Sequence, residues 1–245
     1  MVTTSLTRAL AFAALIVPAA ANAQVFSVGN ERQQNAGPRR SPVTGGLALV
    51  YGQPTGVFRD FVKQGIGFDA NGHYKVDRQG IFSIGIEGGF LTYGRETKRV
   101  PLSSTIGGRI LVDVTTSNNI VWAGFGPQLA VPSGPIRPYV SATAGFAYFF
   151  TESSVEGSTS NFQFASTTNY DDATFAWTGG GGFLVPVGKS GGALDIGVRY
   201  HGNGNVRYLR KGAYLEDGNG GIKFFPTESE APLISWRIGF RAGLR

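Results

Sequence analysis

The chain contains no cysteine, one methionine and two histidines among its 245 residues. Without cysteine there is no disulfide framework and no thiolate metal site. His73 has no second histidine at ligand spacing, which argues against zinc, and no metal or cofactor is expected. Charge is also scarce: Asp, Glu, Lys and Arg make up 16% of the chain, against ~25% in typical soluble domains. The longest apolar run, residues 9–17, has nine residues, too few for a spanning helix of ~20. Glycine, by contrast, is abundant, 37 of 245, about twice its usual share and without a collagen-like period.

Residues 1–23 read as a secretory signal peptide. Arg8 supplies the positive start, residues 9–17 the apolar core, and Ala21-Asn22-Ala23 the small-x-small cleavage site. Residues 24–42 are polar and aperiodic, a flexible N-terminal lead. The net charge of +6 would suggest nucleic acid in a cytosolic chain. After export the expected anionic neighbours are lipid and lipopolysaccharide, and no nucleic-acid partner is expected.

From residue 43 onward the pattern has period two, the mark of β-strands with two different faces. The final stretch shows it most plainly. Ile234, Trp236, Ile238, Phe240, Ala242 and Leu244 alternate with Ser235, Arg237, Gly239, Arg241, Gly243 and Arg245. Earlier segments fall at 45–52, 65–76, 81–95, 109–131, 137–152, 173–187 and 193–208. In the seventh, Leu194, Ile196, Val198 and Tyr200 alternate with Asp195, Gly197, Arg199 and His201. In the fourth, the apolar row moves by one residue after Ser117-Asn118-Asn119, as a β-bulge would cause. Pro127 counts against a regular ladder there.

Short turns at 77–80, 132–136 and 188–192 alternate with longer loops at 53–64, 96–107, 153–172 and 209–230. An even number of antiparallel strands, with short turns at one end and long loops at the other, describes an outer-membrane barrel. The expected fold is therefore all-β, an eight-stranded antiparallel up-and-down transmembrane β-barrel over residues 43–245. Its apolar rows face lipid. Tyr51, Tyr74, Phe90, Tyr139, Phe149, Phe150, Trp177 and Tyr200 lie near segment ends and are read as interfacial girdles. The opposite rows form an interior polar network of Asp69, Lys75, Glu87, Asp195, Arg199, His201, Arg237 and Arg241. An eight-stranded interior is only wide enough to be filled by side chains, so these charges are expected to pair and close the lumen.

With its signal peptide, eight alternating strands and short turns, the chain resembles the small outer-membrane β-barrel proteins of diderm bacteria, the OmpA/OmpX-like group. Segments such as Gly80-Ile-Phe-Ser-Ile, Thr116-Thr-Ser-Asn-Asn-Ile, Phe164-Ala-Ser-Thr-Thr-Asn and Leu194-Asp-Ile-Gly-Val-Arg-Tyr-His look like those of uncharacterised barrel-domain proteins. The resemblance implies residence in the outer membrane as a monomer, after insertion by the barrel-assembly machinery. One departure is the ending Gly243-Leu244-Arg245, where such barrels end on an aromatic residue.

The resemblance implies a structural or surface-interaction role, exercised through the long loops. The last loop carries basic and aromatic residues, among them Arg207, Arg210, Lys211, Tyr214 and Phe224. Two alternatives are passage of small hydrophobic molecules, as in barrels resembling OmpW, and lipid A deacylation. Deacylase barrels carry a His-x-Ser-Asn run. Here the nearest match is His201-Gly202-Asn203-Gly204-Asn205, which lacks the serine nucleophile, so no enzyme activity is expected. Gly179–Gly182 is read as close packing of strands, since neither a helix nor a Lys-Ser/Thr pair follows as a phosphate loop requires.

Overall fold

The computed structural model describes residues 41–101, 111–157, 163–188, 191–209, 214–216 and 222–244. The signal segment and all but the end of the lead lie outside these residues. Eight strands close into an antiparallel barrel: β1 (Val43–Pro54), β2 (Gly65–Lys75), β3 (Phe82–Pro101), β4 (Leu111–Ala130), β5 (Arg137–Gly157), β6 (Gln163–Val187), β7 (Gly192–Asn203) and β12 (Leu233–Leu244). Each pairs with its neighbour in sequence around the wall, and β12 closes on β1 from Val43↔Leu244 to Pro54↔Leu233. Closure leaves no unpaired edge within the ring, which a strand in lipid cannot tolerate.

The alternation sorts side chains as the sequence implies. On β7, Asp195 is 1% exposed and its neighbour Ile196 43%. Leu47, Leu49, Phe68, Ile86, Phe125, Val140 and Ile238 are likewise exposed on the outer face, while Ala48, Asp69, Glu87, Tyr139 and Arg237 are buried. The chain is an eight-stranded transmembrane β-barrel with an apolar outside. Four outward rings form a continuous belt, Phe68 to Phe90 to Phe150 to Tyr148, with centroids 5.5–6.5 Å apart. Tyr139 and Phe149, read as girdle residues from their positions near segment ends, instead point inward and are buried. Their odd numbers in β5 put them on the inner row, and proximity to a strand end does not override that parity.

The turn end is tight. Gly80, Gly134, Gly188 and Gly191 take positive φ there, the region only glycine enters without strain. In the first turn the Ile81 and Phe82 amides donate to the Asp77 carboxylate.

The other end departs from the simple loop reading. Segments 96–107 and 153–172 are not loops throughout, because β3 runs on to Pro101, β5 to Gly157, and β6 begins at Gln163. Segment 53–64 contains a short helix, α1 (Phe58–Phe61). The seventh segment breaks at Gly204 into β7 and β8 (Asn205–Tyr208). The last loop adds β9 (Tyr214–Glu216), β10 (Ile222–Phe224) and β11 (Thr227–Glu230), with β8 paired to β11 and β9 to β10. The bulge sits on β3, between Thr92 and Gly94, and not on β4. It lies opposite Asn118 and Asn119, the residues at which the sequence places the phase change of β4. Pro127 does interrupt a ladder: β4 and β5 pair at Phe125↔Ala144 and again at Gln128↔Ser141, with no pair between.

Candidate functional site: a two-layered barrel interior

The inward rows of β2, β3, β7 and β12 meet in an ionic layer toward the turn end. Arg237 donates from Nη2 to Asp69 Oδ1 at 2.7 Å. Its Nη1 lies 3.4 Å from Asp195 Oδ2. Arg241 donates from Nη2 to the same Asp195 oxygen at 2.8 Å and from Nη1 to Gln128 Oε1 at 2.9 Å, crossing to β4. Arg199 pairs with Glu87 through Nη1 and Oε2. Three guanidiniums thus face three carboxylates, all at most 5% exposed. The layer is formally neutral, as burial demands of ions that cannot reach water.

Neutral groups that the alternation alone did not single out complete the layer. Tyr139 donates its hydroxyl to Asp195 Oδ1 at 2.7 Å, and the Arg241 guanidinium lies over the Tyr139 ring, 5.1 Å from its centroid. Thr143 and Thr178 both donate to Glu87 Oε1, at 2.8 and 2.7 Å. The glycine run makes this geometry fit. A Cβ at Gly182 would stand 2.9 Å from the Tyr139 hydroxyl, and one at Gly180 would stand 2.9 Å from Arg199 Cγ. Those glycines leave room for Tyr139 and Arg199 to lie along the inner face of β6, which is close packing and not a phosphate cradle.

Two of the eight sequence-selected residues lie apart from the ion pairs. Lys75 sits at the turn end, where Nζ donates to the Ser41 carbonyl at 3.1 Å. His201 stands above the ionic layer. Its Nε2 lies 2.8 Å from Ser235 Oγ, and its ring meets Trp122 edge-on at 5.2 Å. The serine missing from the run after His201 is therefore met from β12. Ser235 and His201 are both buried, 2% and 4% exposed, and apolar side chains stand above them.

Those side chains form the second layer, at the long-loop end. Phe58, carried in from α1, is fully buried. Its ring meets Tyr208 at 5.1 Å, Tyr93 at 5.5 Å and Phe149 at 6.3 Å, each edge-to-face. Leu91, Ile120, Trp122, Val206 and Leu233 belong to the same cluster, with Val50, Val62 and three alanines. Gly89 lets the Trp122 ring lie across β3, since a Cβ there would fall on the indole. Thr55 anchors the start of the α1 loop to the foot of the last loop, with its amide donating to the Pro232 carbonyl at 2.9 Å. The inward parity of Phe149 and Trp122 was readable in sequence. The inward turn of Phe58 was not, because its segment has no period, and that of Tyr208 was not, because the break at Gly204 reverses the phase of the seventh segment, so that even-numbered residues of β8 face inward.

Above this layer the wall is uneven. β3, β4, β5 and β6 are 20, 20, 21 and 25 residues long, whereas β1, β2, β7 and β12 are 12, 11, 12 and 12. The long four form one continuous sheet, pinned by Thr97–Thr115, Thr116–Ser153 and Thr151–Asn118 hydrogen bonds and by the Arg99–Asp113 ion pair.

No protein-family model matches the chain, and no curated protein matches it. Among solved structures it is similar to Neisserial surface protein A at 11% identity and a TM-score of 0.43, over 83% of this chain and 97% of that one. It is similar to Ail, the attachment invasion locus protein of Yersinia pestis solved with the heparin analogue sucrose octasulfate, at 14% identity and a TM-score of 0.38, with the same coverage. A major outer membrane protein of Thermus thermophilus matches at 10% identity and a TM-score of 0.45, over 82% of this chain and 98% of that one. The closed eight-stranded ring and its apolar exterior, and not these distant likenesses, make the fold one of the small outer-membrane barrel type.

Proposed function

We propose that the protein is a non-enzymatic integral outer-membrane barrel with a closed, charge-paired lumen, acting as a structural or surface-interaction protein. The tall half of the wall is the observation that carries this reading. A strand needs ~9–11 residues to cross the membrane, and β3 to β6 have 20 to 25. At ~3.3 Å per residue and a strand tilt of ~40°, the surplus of about ten residues extends the sheet roughly 25 Å past the apolar band. Such a sheet is ordered before any partner arrives, so binding on it costs less entropy than binding on a loose loop. The partners proposed are outer-membrane lipopolysaccharide and surfaces beyond it. The barrel-assembly machinery acts only during insertion, and the inserted barrel is a monomer.

The test uses a variant in which residues 95–117 are replaced by a tight turn. It should still fractionate with the outer membrane after signal cleavage and keep heat-modifiable migration in detergent gels. Cells carrying it should lose attachment relative to cells carrying the full chain. Equal attachment by the two strains would remove the surface role. A stable conductance of the wild type in planar bilayers would remove the closed lumen.

The Ser235–His201 pair supplies a hydroxyl beside an imidazole, but both lie beneath the aromatic layer, away from lipid. The pair is read as a satisfied interior hydrogen bond. Lipid A should therefore have the same mass in cells with the wild type, with His201→Ala and without the protein.

A further inference from the structure

The upper interior is an aromatic box with an aromatic occupant. Tyr93, Trp122, Phe149 and Tyr208 come from the wall and the last loop, and Phe58 comes in separately on α1. The Phe58 ring makes three edge-to-face contacts, 5.1–6.3 Å between centroids, which is how such boxes hold a ring. Two polar atoms of the box have no hydrogen-bond partner: the Tyr93 hydroxyl and the Trp122 Nε1–H. Both side chains are 7% exposed. A plug serving only to fill space would gain by having phenylalanine at both positions, because an unmet buried donor is costly. Phe58 has no polar atom with which to meet either.

We propose that this box is a binding site for a small, uncharged aromatic molecule bearing one hydrogen-bond acceptor, and that Phe58 is the internal substitute such a ligand displaces. Uncharged follows from the lining: Val50, Leu91, Ile120 and Leu233 complete the box, and a buried ion would find no counter-charge there. An acceptor follows from the unmet hydroxyl of Tyr93, whose ring touches Phe58, with the unmet Trp122 Nε1–H in the same cluster as the second donor. The short reach of the site follows from the floor, where His201, Ser235 and the ion pairs begin.

Displacement of Phe58 moves one short segment, and Val62 at its end, also buried in the cluster, moves with it. α1 has four residues, begins after Gly56 at φ +56, and ends at Val62 in extended backbone. Arg59, Asp60, Lys63 and Gln64 are exposed around it. When Phe58 leaves the box, the Arg59 and Lys63 peptide bonds lose the support that holds them against the barrel, and they become open to protease.

The full-length protein in detergent micelles is digested with trypsin in anisole or in toluene. The two share one ring and differ in the acceptor oxygen. Cuts after Arg59 and Lys63 are quantified by fragment mass. Anisole should accelerate these cuts saturably, and at matched concentration by about fivefold more than toluene, the value of roughly one hydrogen bond. The double variant Tyr93→Phe, Trp122→Phe should erase that difference. Unchanged cutting in the wild type overturns the site. Equal action of anisole and toluene, or a difference that survives in the double variant, overturns the polar contacts and with them the ligand class. Where the double variant fails to fold, Tyr93→Phe alone, which keeps the ring size, takes its place, with at least a halved difference as the expected result and an undiminished one overturning the contact. The assay does not depend on the tall wall, so trimming residues 95–117 separates failure of this site from failure of the surface role.

Discussion

Toward the turn end the barrel interior is filled by three arginines facing three carboxylates, and toward the long-loop end by rings. The ionic layer comes entirely from strand residues. Every charge in it is set by parity and register, and its partners reach across the lumen, as Arg241 on β12 reaches Gln128 on β4. The aromatic layer draws its central ring from a loop. Strand-borne groups cannot retreat without opening the ladder, whereas Phe58 and its four-residue helix can settle into a new position. The ionic layer should therefore be the less forgiving of the two, and the aromatic layer the part that moves.

Substitutions can break or sharpen this contrast. The largest effect is expected at Asp195, which accepts from Tyr139 and Arg241 and lies within an ion-pair distance of Arg237. Asp195→Asn leaves buried arginine charge uncompensated, and breaking such a pair costs ~3–5 kcal/mol. The midpoint of the heat-induced gel shift should fall steeply while membrane targeting is unchanged. A midpoint equal to that of the wild type would mean that the layer is wet.

Phe58→Ala comes second. Burial of a full phenylalanine ring puts the loss near ~3 kcal/mol, the low end for such truncations, because α1 can collapse into the space. Denaturant titration of the refolded barrel measures it. A larger loss than that of Asp195→Asn would reverse the ranking of the layers.

Thr178→Val removes one of two hydroxyl donors to Glu87 and keeps the volume. A hydrogen bond to a buried charge is worth ~1.5–3 kcal/mol, and the remaining Thr143 donor and Arg199 should hold the loss to the lower value. The double variant with Thr143→Val should lose more than the two single losses added. Simple additivity would show that the two threonines do not share one acceptor.

The smallest effect belongs outside both layers. The Ile81 amide, and after it the Phe82 amide, hold the Asp77 carboxyl below the usual carboxylate range. A depressed folded-state value stabilises above the unfolded value of ~3.9 and is lost as pH falls through the folded value. Asp77→Asn should therefore matter slightly at pH 7 and progressively less as the pH falls toward 2. A larger difference at pH 2 than at pH 7 would contradict the sign.

The wall was open to reading because two alternating environments leave a record in every second residue. Asp69, Glu87, Asp195, Arg199, Arg237 and Arg241 could all be assigned to the inner rows from local pattern. Tyr139 and Phe149 were misplaced only because nearness to a strand end was weighed above their parity. The bulge expected on β4 is found on β3, opposite the same two asparagines, and β4 itself pairs there without an extra residue. Segments without period gave no such guide. Phe58 is buried by a segment that has no fixed face until the barrel mouth exists to receive it, and Val206 and Tyr208 turn inward only because the phase reverses at Gly204.

By itself the sequence determined which faces meet lipid and which meet the interior, how many strands form the ring, and which end carries the tight turns, because side-chain alternation and glycine turns are local properties of the chain. Only the tertiary structure decided which arginine meets which carboxylate, that Ser235 rather than a neighbour of His201 faces the imidazole, and that a phenylalanine from the first long loop fills the mouth. The pairings that cross the lumen depend on closing β12 against β1, which brings residues more than a hundred positions apart to within hydrogen-bond distance, as Arg237 and Asp69 show.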